Sequence, residues 1–350
     1  MTTGGGNYFE DFRTGQSLNH APARTVTSGD VALYTALYGG RFAPQSSDEF
    51  ARSLGLPDAP VDDLLVFHLV FGKTVPEVSL NAIANLGYAE CRFLKPVFPG
   101  DTLSARSEVL GSRENSNRES GIVYVRSTGF NQRHEPVLSY ARWVMVRKRS
   151  VAADVPPPET PRLAAAVEAH DLVIDGSMRF NAFDRNATGG PQFFGDYAVG
   201  QRFDHGDAMT VEEAEHMMAT RLYHNTARVH FNAHSEKQGR FGRRIVYGGH
   251  VISIARALSF NGLGNAWFVR GINGGRHVSP CFGGDTVYAW SEILAKAEAK
   301  GRDDFGYLRV RTVATKDRPC GDFPYKTGSE GTYDPSVILD LDYWVLMPKA

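Results

Sequence analysis

The stretch YHNTARVHFNAH, residues 223–234, contains the side chains best suited to acid–base chemistry. A histidine has an ordinary pKa near ~6.5, so His230 can take a proton from water at neutral pH. Asn225 cannot ionise, but it can accept a hydrogen bond through Oδ1 or donate one through Nδ2. It could equally cap the helix that precedes it. His230 and His234 are four positions apart, but no third ligand at metal-site spacing accompanies them, which disfavours a metal site.

The composition indicates what kind of protein holds these residues. The chain has 350 residues, of which 42% are apolar, enough for two domains with separate cores. Its 38 basic and 39 acidic residues nearly cancel, which argues against a nucleic-acid partner. No apolar run is long enough to span a membrane, and the N-terminus lacks the pattern of a secretory signal. With three widely spaced cysteines as reduced thiols, we expect a cytoplasmic protein.

An internal duplication organises the chain. FLKPVFPGDTLSARSEVLG (93–111) aligns without a gap with HVSPCFGGDTVYAWSEILA (277–295), and nine of the nineteen positions are identical. Upstream, YFEDFRTGQ (8–16) matches FFGDYAVGQ (193–201) at nearly the same offset, about 185 residues. Because the register is kept over most of each half, the chain is a duplicated domain.

Each copy has the same predicted order of elements. A short amphipathic helix (24–40 and 209–225) is followed by an apolar segment (63–75 and 248–263), which we interpret in the second copy as a buried helix. Alternating β-branched and aromatic runs then predict consecutive strands. Because no helix separates those strands, they should be antiparallel and the fold class should be α+β.

The predicted division of the chain follows from the repeat. A proline-rich stretch, VAADVPPPETPRL, lies at the join and should be extended. Two fused copies are expected to pack on each other as a pseudo-dimer. The predicted units are a first domain (1–150), a linker (151–189) and a second domain (190–350).

The helix, the histidine motif, the buried helix and the strands that open with PVFPGDTL (96–103) together resemble a known family. It is the MaoC-like hydratases, the (R)-specific enoyl-CoA hydratase family. The resemblance covers both halves and implies a double hot dog, two tandem domains in which an antiparallel sheet wraps a long helix. The fused halves and YGGRFAPQSSDEFA (38–51) look most like members that act on branched, carboxylated enoyl-CoA thioesters. The implied activity is that of a hydro-lyase that interconverts mesaconyl-CoA and β-methylmalyl-CoA.

The resemblance also implies roles for the two residues of the opening motif. The family pattern has an aspartate where Asn225 stands and a histidine at His230. Hydration needs a base for water, donors for the developing enolate oxygen and a proton for Cα. We infer that His230 deprotonates the water, that Asn225 orients it, and that His230 returns the proton on the same face.

In the first half, the two equivalent positions lack both catalytic side chains. The repeat aligns Gly40 with the aspartate and Gln45 with the histidine, or Arg41 and Ser46 if one gap is allowed. That half is therefore expected to shape the acyl or CoA tunnel.

A second stretch, RRIVYGGHV (243–251), matches the family's later I-V-H-G pattern with Tyr247 in place of its histidine. The backbone N–H groups of Gly248 and Gly249 would open the buried helix, where unpaired amides can hold the thioester oxygen. Alternatively, these glycines only allow tight packing. His250 on the same helix could face either the pocket or the core.

The carboxylate of the expected substrate calls for a cation. Arg228 stands where the family pattern has proline, which makes it the first candidate, and arginine suits carboxylate recognition. Arg270 and Arg276 are further candidates for substrate binding, as is Tyr247.

Two other functions remain open. A hot-dog thioesterase would need a carboxylate, for which Asp48 and Glu236 are the nearby candidates, and a non-catalytic acyl-CoA binding module would fit the missing aspartate. No metal or redox cofactor is expected, since CoA is part of the substrate. The expected partners are an acyl-CoA and further copies of the chain, with no nucleic acid or membrane.

Overall fold

The computed structural model describes residues 5–327 and 331–349. The helices of this part are α1 (Ser28–Tyr38), α2 (Ala43–Ser46), α3 (Asp48–Ser53), α4 (Asp63–Thr74), α5 (Glu213–Leu222), α6 (Arg228–Phe231), α7 (Ala233–Glu236), α8 (Gly248–Leu258) and α9 (Phe260–Leu263). Its strands are β1 (Ser17–Thr25), β2 (Ala82–Phe93), β3 (Thr102–Glu114), β4 (Ser120–Phe130), β5 (Pro136–Arg147), β6 (Arg202–Thr210), β7 (Phe268–His277), β8 (Thr286–Glu298), β9 (Phe305–Lys316), β10 (Lys326–Thr327), β11 (Thr332–Tyr333) and β12 (Val337–Pro348).

Ten strands form one antiparallel sheet in the order β1-β3-β4-β5-β2-β7-β12-β9-β8-β6. The first five come from the first half of the chain and the last five from the second. The halves join where β2 pairs with β7, through Cys91 with Ile272 and Arg92 with Gly271. Within β4, buried and half-buried residues alternate, as expected for a strand with one face on the core. The predicted α+β class with consecutive antiparallel strands is confirmed.

Two central helices, α4 and α8, pack against this sheet. Both sequences are apolar on nearly every side, and residues 64–74 of α4 and 249–258 of α8 are all buried. A π-helical turn, Val75–Ser79, extends α4. After α8, Gly262 takes a left-handed φ of 98° and interrupts the helical geometry within α9.

The two halves are related as a pseudo-dimer. Tyr38 and Tyr223 occupy equivalent positions of the repeat, and their hydroxyls hydrogen-bond to each other at 2.6 Å. A contact between equivalent residues is expected when two copies are related by a two-fold axis. Each half also contains an equivalent buried histidine–serine hydrogen bond. It joins His20 and Ser107 at 2.7 Å in the first half, and His205 and Ser291 at 2.8 Å in the second. The duplication predicted from the sequence is therefore present in the fold.

The segment between the halves packs against both of them. In the first half, the N–H of Glu159 donates to the carbonyl of Ser112 on β3 at 2.8 Å. It contacts the second half as well. The indole of Trp344 on β12 donates to the carbonyl of Val167 at 2.9 Å, and the N–H of Val167 donates to Asn273 Oδ1 on β7 at 2.8 Å. Its only helical features are the 3₁₀ turns Ala169–Asp171 and Arg185–Thr188, in a segment that the structure describes throughout. The proline-rich part, residues 154–162, has no helix or strand, as expected.

Candidate active site

The chain between α5 and α8 turns sharply to present the two motif residues. Tyr223, which follows α5, is fully buried and anchors the turn. His224 then takes a left-handed φ of 52°, and Oδ1 of Asn225 accepts a hydrogen bond from the N–H of Ala227 at 3.0 Å. This Asx turn leads into α6, on which His230 lies. Local sequence thus places Asn225 and His230 together.

The ring of His230 is held in one tautomer. Its Nδ1 lies 3.1 Å from the carbonyl oxygen of Ile245. Because a carbonyl can only accept, Nδ1 carries the proton and Nε2 keeps its lone pair. The ring is half-buried on the cavity wall, and burial lowers the pKa of His230 to about 4. At neutral pH it is therefore an uncharged imidazole with Nε2 able to accept a proton.

The side-chain amide of Asn225 is likewise fixed in orientation. Since the N–H of Ala227 is a donor, the atom that faces it is Oδ1, and Nδ2 is left as the free group. Asn225 lines the cavity with 5% of its surface exposed. Asn225 thus forms the turn before α6 through Oδ1, and its Nδ2 is available as a hydrogen-bond donor at the cavity wall.

The N-terminus of α8 forms the adjacent wall. Tyr247 at its N-cap makes no side-chain cap, and the first helical amides, those of Gly248 and Gly249, have no acceptor within the helix. The ring of His277 lies against Gly248, since a Cβ there would come within 2.2 Å of its Cε1. Gly248 and Tyr247 line the cavity. Of the two predicted glycines, Gly248 is the one on the cavity wall.

The cavity has a volume of about 330 Å³ and lies between the halves. The second half contributes the residues just described. The first half contributes side chains from α4, β2 and β5: Phe71, Asn85, Tyr88 and Arg142. Every cavity-lining residue belongs to the described part of the chain, and none is an aspartate or glutamate. Neither half alone forms this site.

The predicted substrate-binding arginines lie elsewhere. Arg228 is exposed at the start of α6, and Arg276 is exposed on β7 with its guanidinium 5.6 Å from the ring of Tyr333. Arg270 is buried, donates to the carbonyl of Val173 at 3.0 Å and lies 3.6 Å from the carboxylate of Asp63. None of the three lines the cavity. A strand presents successive side chains to opposite faces, and sequence spacing did not reveal which face Arg270 and Arg276 occupy on β7.

His250 also points away from the cavity. Its Nδ1 lies 2.7 Å from the hydroxyl of Tyr38, deep in the contact between the halves. It is 1% exposed, and burial lowers its pKa to about 4. Of the two sites considered for this histidine, the structure supports the core.

Sequence reasoning missed three basic side chains that line the cavity: His277, Arg142 and the exposed Arg240. Burial and the nearby His230 lower the pKa of His277 to about 4. The repeat contained a signal for this residue, because His277 stands opposite Phe93, an apolar residue of the first half. Arg142 had a weaker signal, a charge inside the otherwise apolar strand SYARWVMV.

Residues 5–327 and 331–349 contain neither a metal-binding cluster nor a helix that could span a membrane. No three histidine, cysteine, aspartate or glutamate side chains are grouped so that they could hold a metal ion. None of the helices in this part of the chain combines the length and the apolarity needed to cross a membrane.

Comparison with known proteins places the chain among acyl-CoA hydratases. The family profile of mesaconyl-CoA hydratase matches residues 1–324. A β-methylmalyl-CoA dehydratase of Chloroflexus aurantiacus is 61% identical over 347 residues, covering 99% of this chain and 98% of that protein. A mesaconyl-CoA hydratase of Cereibacter sphaeroides is 58% identical over 350 residues, covering 100% of both chains.

Solved structures show the same fold. A MaoC-domain dehydratase from Chloroflexus aurantiacus superposes with a TM-score of 0.97 at 60% identity, covering 100% of this chain and 99% of the other. A Mycobacterium tuberculosis protein described as having a double hot-dog fold gives a TM-score of 0.74 at 26% identity, covering 98% and 99%. The predicted double hot dog is confirmed.

Proposed function

The chain belongs to the mesaconyl-CoA hydratase family, and from this membership we propose that it reversibly adds water to mesaconyl-CoA to give β-methylmalyl-CoA. It is thus a hydro-lyase with an acyl-CoA thioester as substrate. The observation that carries the catalytic part of the proposal is the fixed tautomer of His230, on the wall of a cavity that both halves enclose. An imidazole held in this way is ready to take a proton from water.

The forward reaction begins with a water molecule between Nε2 of His230 and Nδ2 of Asn225. Nε2 takes a proton from this water while its oxygen forms a bond to Cβ of the enoyl group. The electron pair of the double bond moves toward the thioester oxygen, which becomes an enolate. The N–H of Gly248, unpaired at the positive end of α8, stabilises that oxygen.

The second step returns the proton. The imidazolium of His230 donates from Nε2 to Cα, the enolate collapses to the thioester, and the histidine is neutral again. Because burial lowers its pKa to about 4, the protonated ring is a strong acid for a histidine and gives up the proton readily. Water and proton arrive from the same face, so one histidine suffices for syn addition.

The cavity supports hydration over the two other functions. A hot-dog thioesterase needs a carboxylate at the thioester, but the cavity walls carry none. Of the two carboxylate candidates, Asp48 is exposed and accepts from the N–H of Ala59, while Glu236 ends α7 outside the cavity. A plain binding module would not need a half-buried imidazole with a free Nε2.

One assay tests the proposal. Incubation with mesaconyl-CoA should remove the enoyl-thioester absorbance without releasing thiol. Thiol release would instead identify a thioesterase, and saturable binding without either change would identify a binding module. The same assay on His230→Ala should show binding without turnover, whereas full turnover by that variant would refute the catalytic role of His230.

Location and assembly belong to the proposal as well. The three cysteines, Cys91, Cys281 and Cys320, are buried free thiols, which supports a reducing compartment such as the cytoplasm. Association of pseudo-dimers into a larger oligomer stays a prediction, and light scattering of the purified protein will test it.

A further inference from the structure

Arg142 on β5 is a buried cation of the first half that lines the cavity. Its side chain is 0% exposed. Its Nη2 donates to the hydroxyl of Thr74 at 2.7 Å and to that of Ser79 at 3.3 Å. The ring of Phe71 lies against the guanidinium, with 4.1 Å from Cζ to the ring centroid. These contacts fix the guanidinium in one place at the first-half wall of the cavity.

Much of the hydrogen-bonding capacity of this arginine is unused. Nε and Nη1 have no hydrogen-bond partner among residues 5–327 and 331–349. Burial lowers the pKa of Arg142, and the groups that act against this effect are tyrosine hydroxyls, not carboxylates. A guanidinium nevertheless stays protonated at neutral pH, so the positive charge is retained.

Asn85, on the same wall, also has polar atoms without a hydrogen-bond partner among the described residues. Both polar atoms of the Asn85 side chain are buried without a partner in the described chain, and Asn85 also lines the cavity. Native proteins pair the great majority of their buried polar groups, and an unpaired buried charge is strongly destabilising. The unpaired N–H groups of Arg142 and Asn85 on this wall indicate that a ligand supplies the missing acceptor.

We propose that Arg142, with the Nδ2 of Asn85 beside it, binds the free carboxylate of the substrate and so selects carboxylated enoyl-CoA thioesters. This inference rests on the proposed hydration of mesaconyl-CoA, which keeps one carboxylate besides its thioester. The cation comes from the half that lacks catalytic groups, whereas the base and the oxyanion amide come from the other half. Held at both ends, the double bond would lie against His230.

The test compares two substrates that differ only at the carboxylate. Mesaconyl-CoA is measured against (E)-2-methylbut-2-enoyl-CoA, in which a methyl group replaces the carboxylate. Wild-type enzyme should prefer mesaconyl-CoA in kcat/KM. In Arg142→Met, the ratio of the two kcat/KM values should fall by about 100-fold, as expected when a buried charged hydrogen-bonding partner is removed. Arg142→Lys, which keeps the charge, should recover part of the ratio.

Matched controls come from the same chain. Arg147→Met makes the same substitution on the same strand at an exposed position, and it should keep the wild-type ratio. Melting curves should show Arg142→Met folding as well as wild type, since methionine fills similar volume without a buried charge. Binding of β-methylmalyl-CoA should raise the melting temperature of wild type by more than that of Arg142→Met.

The proposal and the proposed function fail in different ways. If wild type hydrates neither substrate, the hydratase function itself is wrong. If wild type is active but Arg142→Met keeps the preference for mesaconyl-CoA, Arg142 does not bind the carboxylate. Equal loss on both substrates with a much lower melting temperature would show a purely structural arginine. Loss of the preference in Arg240→Met instead would identify Arg240, which also lines the cavity, as the cation.

Discussion

The two central helices begin at equivalent positions of the repeat, but their N-termini have different functions. At α8, Tyr247 leaves the first amides uncapped, and they open onto a cavity of about 330 Å³. At α4, the carboxylate of Asp62 caps the helix by accepting from the N–H of Leu64 at 2.8 Å, and the space beyond is a gap of about 30 Å³. The N-terminus of the central helix therefore lies at a binding cavity in the second half, whereas in the first half it is capped and the space beside it is filled.

The first-half gap is closed by packing. Gln45, which aligns with His230, donates from Nε2 to the carbonyl of Trp267 at 3.1 Å. The guanidinium of Arg256 from the second half lies 3.6 Å from the ring centroid of Phe42. Because these side chains fill the space, the remaining gap is too small for an acyl group. The difference teaches that one half of a duplication can give up its site while its sheet and helix still form a wall of the other site.

The largest expected effect comes from removing the base. His230→Ala should lower kcat by about a thousandfold, since a positioned general base contributes on the order of 10²–10⁴. Its counterpart in the other half, Gln45→Ala, should leave kcat as in wild type. Steady-state assays with mesaconyl-CoA measure both. If Gln45→Ala were as damaging as His230→Ala, the first half would hold a second working site.

The sequence predicted what depends on local pattern. The strands and the neighbouring positions of Asn225 and His230 follow from residues close together in the chain, and the duplication follows from matching segments in its two halves. The structure contains the strands and the duplication, and both residues lie on the cavity wall. Arg142 was not predicted because the cavity forms only where the two halves pack together, and the strand pairs of β5 lie within the first half. Arg270 misled for a similar reason, since packing of α4 of the first half against β7 places its guanidinium beside Asp63. Contacts between the halves depend on tertiary packing, which a single sequence does not specify.

A smaller effect is expected at the helix N-termini. Gly248→Ala would place a Cβ within 2.2 Å of His277, so the ring or the helix end must move and the amide is displaced from the thioester oxygen. We expect kcat to fall about 100-fold, as for loss of one oxyanion donor. Asp62→Ala at α4 should keep kcat but lower the free energy of unfolding by about 1 kcal/mol, the usual value of a cap. Loss of activity in Asp62→Ala without loss of stability would contradict the assignment of a purely structural role to the N-terminus of α4.

The asparagine at the aspartate position should matter less. Asn225→Ala removes the Nδ2 donor and the hydrogen bond to Ala227, and we expect kcat to fall about tenfold, the value of one or two neutral hydrogen bonds. Asn225→Asp keeps an acceptor for Ala227 and should be more active than Asn225→Ala. An aspartate variant below the alanine variant would mean that the donor Nδ2 itself is required.

The smallest effect concerns pH, and it reports whether the first half encloses the site. Burial lowers the pKa of His230 to about 4, so the catalytic base form is complete near neutrality and is lost only as the pH falls through about 4. The kcat/KM for mesaconyl-CoA should therefore be nearly flat between about pH 5.5 and 8, whereas a histidine in water would lose its base form below about 6.5. An acidic limb near 6.5 in the wild-type profile would show that His230 is open to solvent. The first half would then not enclose the base. The proposed difference between the two halves, an enclosed active site at α8 and a filled space at α4, would be wrong for His230.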